Sequence, residues 1–115
     1  MADEARTIEE QSTQRRASLL NMAYENTAAK EIALYPDILS VPELYQFKAI
    51  PIQAGTSNLL FGITNTTSHS TMTALQQRFA DQRVSFAMIS DTGFSELMRR
   101  YDPPKQVVYQ DISLT

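Results

Sequence analysis

Asn58-Leu59-Leu60-Phe61-Gly62-Ile63-Thr64 and Arg83-Val84-Ser85-Phe86-Ala87-Met88-Ile89 decide the fold. The first is a short apolar run, the form a buried strand takes. The second alternates and then turns wholly apolar, as a mostly buried strand does. Between them, Met72, Leu75 and Phe79 recur on one helical face. Strand, helix and strand in that order make a βαβ crossover, so the two strands are predicted to lie parallel. Upstream, Ala49-Ile50-Pro51-Ile52 is another short apolar stretch, and Gly55-Thr56-Ser57-Asn58 is turn chemistry. These segments predict a hairpin. A proline cannot donate to a central ladder, so Pro51 marks an edge strand or a strand end. The expected fold class is α/β (α+β): a small three-stranded mixed sheet, hairpin plus βαβ, with about four helices.

Composition bounds the rest. At 115 residues the chain is long enough for one domain with a single core. A hydrophobic fraction of 43% and a charged fraction of 20% are those of an ordinary soluble globular chain. The net charge of −3 argues against general nucleic-acid binding. Arg15-Arg16 and Arg99-Arg100 are isolated pairs, read as solvated helix faces. Cysteine is absent, which removes disulfides and thiolate chemistry and fits a reducing compartment. The start, Met1-Ala2-Asp3-Glu4, is acidic and lacks the pattern of a signal peptide. No apolar run approaches the roughly 20 residues that span a bilayer. A cytoplasmic protein without direct membrane insertion is expected.

Working outward along the chain, residues 1–12 are polar and acidic and are read as a disordered tail. A helix is predicted from Thr13, capped by Ser12 or Thr13, with Leu19, Met22 and Ala23 as its inward stripe and Asn26-Thr27 as its end. Ser40-Val41-Pro42-Glu43 has the form of a capping box: the serine hydroxyl accepts from the third helical amide, and Glu43 reaches back to the cap's own amide. The short helix that follows is expected to turn Val41, Leu44 and Tyr45 inward. A last helix is capped by Ser90 or Asp91, with Asp91 the preferred cap. Phe94, Leu97, Met98 and Tyr101 repeat there at core spacing. Arg99 and Arg100 suit the negative end of that helix dipole, and Asp102-Pro103-Pro104 stops it. Residues 13–104 are thus one α/β domain, and 105–115 is read as an extended linker.

The chemistry of catalysis is not found in this sequence. His69 is the only histidine, and one histidine without cysteine does not make a typical zinc site. None of the three glycines belongs to a phosphate-cradling loop. No catalytic, cofactor-binding or metal-ligating residue is assigned, and the chain is expected not to be an enzyme. One loop stands out: Asn65-Thr66-Thr67-Ser68-His69, the most polar stretch, follows a buried strand and opens a helix. Ligands gather outside the carboxyl ends of strands, and free amides of a helix start attract anions. The loop is therefore a candidate ligand or partner site. The bland alternative is that one hydroxyl caps the helix and the others are solvated.

The order of elements and the wording of several segments resemble the N-terminal domain of type II secretion and type IV pilus assembly ATPases. The segments are Val41-Pro42-Glu43-Leu44, Lys48-Ala49-Ile50-Pro51-Ile52, Asn58 to Asn65, Met72 to Phe79, Arg83 to Ile89 and Phe94-Ser95-Glu96-Leu97-Met98-Arg99-Arg100-Tyr101. Two departures matter. The family's Asp-Pro after the second strand is replaced by Asn65-Thr66-Thr67. The Arg-Leu-Gly motif with which some relatives bind cyclic di-GMP is missing, since Arg15-Arg16-Ala17-Ser18-Leu19 has no glycine. The resemblance implies a non-catalytic docking module without a cofactor. It would sit ahead of a hexameric ATPase core in its own chain and bind the cytoplasmic part of an inner-membrane platform protein, peripheral to that membrane. A cyclic-dinucleotide-sensing module and a stand-alone cytoplasmic adaptor are the alternative readings.

Overall fold

The computed structural model describes residues 2–29 and 31–103. The chain forms α1 (Ala2–Leu19), β1 (Ala23–Tyr24), α2 (Val41–Phe47), β2 (Ala49–Ala54), β3 (Asn58–Ile63), α3 (His69–Arg78), β4 (Arg83–Met88) and α4 (Asp91–Tyr101). The strands make one sheet in the order β1-β4-β3-β2. β3 and β4 are parallel, with Phe61 opposite Phe86 and Ile63 opposite Met88, as the βαβ pattern predicts. β2 and β3 form the expected antiparallel hairpin. Pro51 lies on β2, the outer strand, and the register shifts between Pro51 and Gln53. A proline and a bulge together interrupt the free edge, a common defence against uncontrolled pairing.

The sheet has four strands, not three. β1 pairs parallel with β4, Ala23 opposite Ala87 and Tyr24 opposite Met88. A strand of two residues carries no period to detect. The expected N-terminal boundaries are also corrected. Residues 2–12, read as a disordered tail, belong to α1, and Thr13 is buried in mid-helix, where its hydroxyl donates to the Glu9 carbonyl at 2.8 Å. The helix stops at Leu19, well before Asn26. Asn21 takes a left-handed conformation (φ 57°), which asparagine tolerates better than most residues. The linker expected over 105–115 lies outside the described residues.

Period 2 and the β3–β4 register put Leu59, Phe61, Ile63, Val84, Phe86 and Met88 on one face. Phe61 is fully buried there, its ring centroid 6.0 Å from that of Phe79 after α3 and 6.1 Å from that of Phe86. Leu75 from α3, Leu44 from α2, and Phe94, Leu97 and Met98 from α4 complete the core, joined by Ile32 and Leu39 from the irregular segment before α2. That segment is tied down by polar contacts. Arg100 donates to the Ile32 carbonyl at 2.7 Å, and the Tyr35 amide donates to the Tyr101 hydroxyl at 2.7 Å. Tyr45 departs from expectation. It is 46% exposed and its hydroxyl donates to Asp102 at 2.8 Å, so α2 turns a narrower face inward.

Gly62 packs closely against the Ile89 side chain. A Cβ there would come within 2.9 Å of Ile89 Cδ1 and 3.2 Å of Ile89 Cγ2. Gly62→Val is therefore expected to cost about 1–3 kcal/mol through overpacking. A urea denaturation midpoint that does not move would show that this face of the sheet is looser than described.

Candidate functional site

The polar loop after β3 is the first place to look, and its hydroxyls turn out to serve one another. Thr67 accepts from the Thr64 amide at 3.0 Å and donates to the Lys48 carbonyl at 2.6 Å, pinning the loop to the end of α2. Thr64 and Thr66 share a hydroxyl hydrogen bond of 2.9 Å. Ser68 is the N-cap of α3 and accepts from the Thr71 amide at 3.1 Å. Asn65 and His69 are exposed. The five candidates are thus contiguous but do not converge on a common point, and the capping role accounts for Ser68. Loop geometry of this kind satisfies the backbone and leaves no set of donors aimed at a ligand.

The predicted capping residues divide. Ser40 caps α2, its hydroxyl accepting from the Glu43 amide at 3.4 Å while Glu43 accepts from the Ser40 amide at 2.9 Å. Glu43 also meets Arg78 of α3 at 2.6 Å. The hydrogen bond from the Arg78 side chain and then that from the Ser40 amide hold the Glu43 carboxyl down, at about 2. At the other end, Ser90 and not Asp91 caps α4, accepting from the Gly93 amide at 3.0 Å. Asp91 is the first helical residue. It is exposed, and its charge suits the positive end of the helix.

The densest polar arrangement lies where α1 crosses the carboxyl ends of β1 and β4. Glu10 is 7% exposed. One carboxylate oxygen accepts from the Tyr24 hydroxyl. The other accepts from Ser90 Oγ at 2.5 Å and Arg6 Nε at 2.6 Å. Ser90 therefore does two jobs with one hydroxyl, donating to Glu10 and capping α4. Arg6 Nη1 reaches Glu96 on α4 at 3.0 Å to both oxygens. Glu9 accepts from the Thr92 amide at 3.0 Å and from its hydroxyl at 2.6 Å. Burial alone would raise the Glu10 pKa, but the hydroxyls of Ser90 and Tyr24 and the Arg6 guanidinium outweigh it, and the carboxyl lies below its ordinary value. The Tyr24 hydroxyl moves up, through burial and then its bond to Glu10.

Two buried atoms at this junction, Arg6 Nη2 and Thr27 Oγ1, have no hydrogen-bond partner among the described residues. Both border Gly93, where a Cβ would collide with Thr27 Oγ1. Outside the junction a pocket of about 470 Å³ opens, lined by Arg6, Glu10, Gln11, Gln14, Tyr24 and Asn26 among others. A shallower depression of about 550 Å³ shares Gln11 and Gln14 with it and runs on to Arg15, Ser18 and Leu19. The residues that line this second depression all belong to α1.

Of the junction residues, sequence pattern marks Ser90 as a possible cap but does not mark Arg6, Glu9 or Glu10. These three meet Glu96, Thr92 and Ser90 80 to 90 residues away, and no periodicity reports a polar contact across that distance. The available signal was propensity. Residues 2–19 hold no glycine or proline and are rich in alanine, glutamate, glutamine and arginine, all good helix formers.

No protein-family model matches the sequence, and no curated protein sequence matches it. Among solved structures, the N-terminal domain of XpsE is similar in fold, with a TM-score of 0.57 and 16% sequence identity. The match covers 74% of this chain and 60% of that one, so the chain spans well under two thirds of the matched structure. At that identity the likeness is one of fold. It is the fold that the resemblance in the sequence implies, an N-terminal domain of a secretion ATPase. No helix among the described residues is long and apolar enough to cross a membrane.

Proposed function

We propose that this chain is the N-terminal docking domain of a type II secretion or type IV pilus assembly ATPase. It binds the cytoplasmic part of an inner-membrane platform protein and has no catalytic role of its own. The observation that carries this reading is the fold likeness to the XpsE N-terminal domain over 74% of the chain, reached independently of the segment-by-segment resemblance. In this reading the chain works at the cytoplasmic side of the inner membrane, held there by its partner. The hexameric ATPase core of the same polypeptide supplies nucleotide hydrolysis.

The experiment is a deletion in the full-length protein. Removing residues 1–105 is expected to abolish recruitment to the membrane platform and to leave basal ATPase activity in place. Co-sedimentation with membranes that carry the platform protein measures the first, and phosphate release measures the second. Recruitment that survives the deletion overturns the proposal.

A further inference from the structure

Helix α1 is inverted in polarity. Arg6, Glu10, Thr13 and Ala17, spaced i, i+4, i+7 and i+11, point at the domain, and three of the four are polar. Ile8, Ser12, Arg15 and Leu19 repeat the same spacing two residues on and face away, all of them exposed. Ile8 is 65% exposed and Leu19 82%, and Leu20 beside it is 57% exposed. A surface helix ordinarily buries its aliphatic stripe and shows its charges to water. This one does the reverse, so its aliphatic face lacks a cover within the described residues.

Charge identifies what fits. No acidic residue occurs from Gln11 to Tyr24, although the chain carries a net charge of −3. Arg15 and Arg16 are both exposed and form no ion pair among the described residues. They precede Leu19, the last residue of α1, and Leu20 just after it. The shallow depression beside them offers the amides of Gln11 and Gln14 and the hydroxyl of Ser18.

Building on the proposed docking role, we infer that the outer face of α1 forms the docking surface and that it takes an acidic amphipathic helix of the partner protein. Leucine-type side chains of that helix would lie on Ile8, Leu19 and Leu20, and its carboxylates on Arg15 and Arg16, a helix packed along a helix with apolar anchors at helical spacing. An anionic membrane is the weaker fit. Two arginines alone hold a chain only weakly at such a surface. Self-pairing sets this cationic patch against itself and is weaker still.

The test uses the 115-residue chain and a labelled synthetic helix of leucine and glutamate, with a leucine–lysine analogue as control. At low salt the acidic peptide is expected to bind and the basic one not to. Arg15→Glu with Arg16→Glu is expected to weaken binding about tenfold or more, and Leu19→Ser about fivefold. Arg83→Glu with Arg99→Glu, a charge-matched change at two exposed sites elsewhere, is expected to leave it unchanged. The inference is overturned if the acidic peptide does not bind, or if both double variants weaken it equally. It is also overturned if phosphatidylserine vesicles bind where the peptide does not, or if Leu19→Ser acts by dissolving a dimer. In the full-length recruitment assay, loss on deleting the domain but not on changing Arg15, Arg16 and Leu19 would leave docking in place on another surface. Recruitment that survives deletion would remove the docking reading itself.

Discussion

Phe61→Ala is expected to cost about 3–5 kcal/mol of folding stability. Phe61 is fully buried at the centre of β3, between Phe86 on the neighbouring strand and Phe79 after α3. Truncation removes the transfer free energy of the ring and leaves a cavity that three elements must share. β3 is paired on both sides, so its backbone cannot shift far to fill the space. A domain of this size has a total stability of about 5–15 kcal/mol, so the variant would keep only a minor part of it at the lower end of that range. Urea denaturation followed by circular dichroism measures the loss. A cost under about 1 kcal/mol would mean that the aromatic cluster collapses freely and is not what holds α3 to the sheet. Leu19→Ala serves as the contrast. The same kind of deletion at an 82% exposed position is expected to change stability by less than about 0.5 kcal/mol.

These two positions also mark what could be read in the sequence. Phe61 announces itself, because it lies in a short apolar run of strand length and the partner strand lies one helix away. The whole unit from β2 to α4 is legible for that reason, down to the capping box at Ser40 and Glu43 and the edge position of Pro51. Leu19 misleads, because an aliphatic residue at helical spacing is ordinarily core. The inward face of α1 is instead made of Arg6, Glu9, Glu10 and Thr13, whose worth depends on Tyr24, Ser90, Thr92 and Glu96 arriving beside them. Hydrophobic patterning cannot see such a face, since it treats every polar residue as a solvated one. The choice of Asp91 over Ser90 as the cap failed on the same ground. Both side chains can cap a helix, and what favours Ser90 is the buried carboxylate of Glu10 that accepts its hydrogen bond.

Glu10→Ala is expected to cost about 2–4 kcal/mol, more than any other polar substitution in the chain. The loss is not that of one contact. The Tyr24 hydroxyl, the Ser90 hydroxyl and Arg6 Nε all donate to this carboxylate, and removing it strands three donors at a nearly closed junction. Among the described residues Arg6 then keeps Glu96 as its ion-pair partner, on a more exposed side. α1 then has few other holds, because the small Ala17 is its one buried apolar side chain among the described residues. Glu10→Gln separates charge from shape: it keeps the volume and an acceptor oxygen but loses the ion pair, and about half of the cost should remain. The pH dependence provides an independent check on the cause. The folded-state pKa of Glu10 is depressed, so its contribution is present in full above the unfolded value and is lost as pH falls through the folded one. The stability gap between wild type and Glu10→Gln is therefore expected to be constant near neutrality. It should narrow only below the ordinary carboxylate range, as the wild-type side chain takes up its proton. Denaturation midpoints measured for both proteins from pH 7 down to pH 3 test this. A gap that stays flat from pH 7 to pH 3 would mean that folding leaves the Glu10 pKa unchanged, and the ionic account of how α1 is held would fall with it.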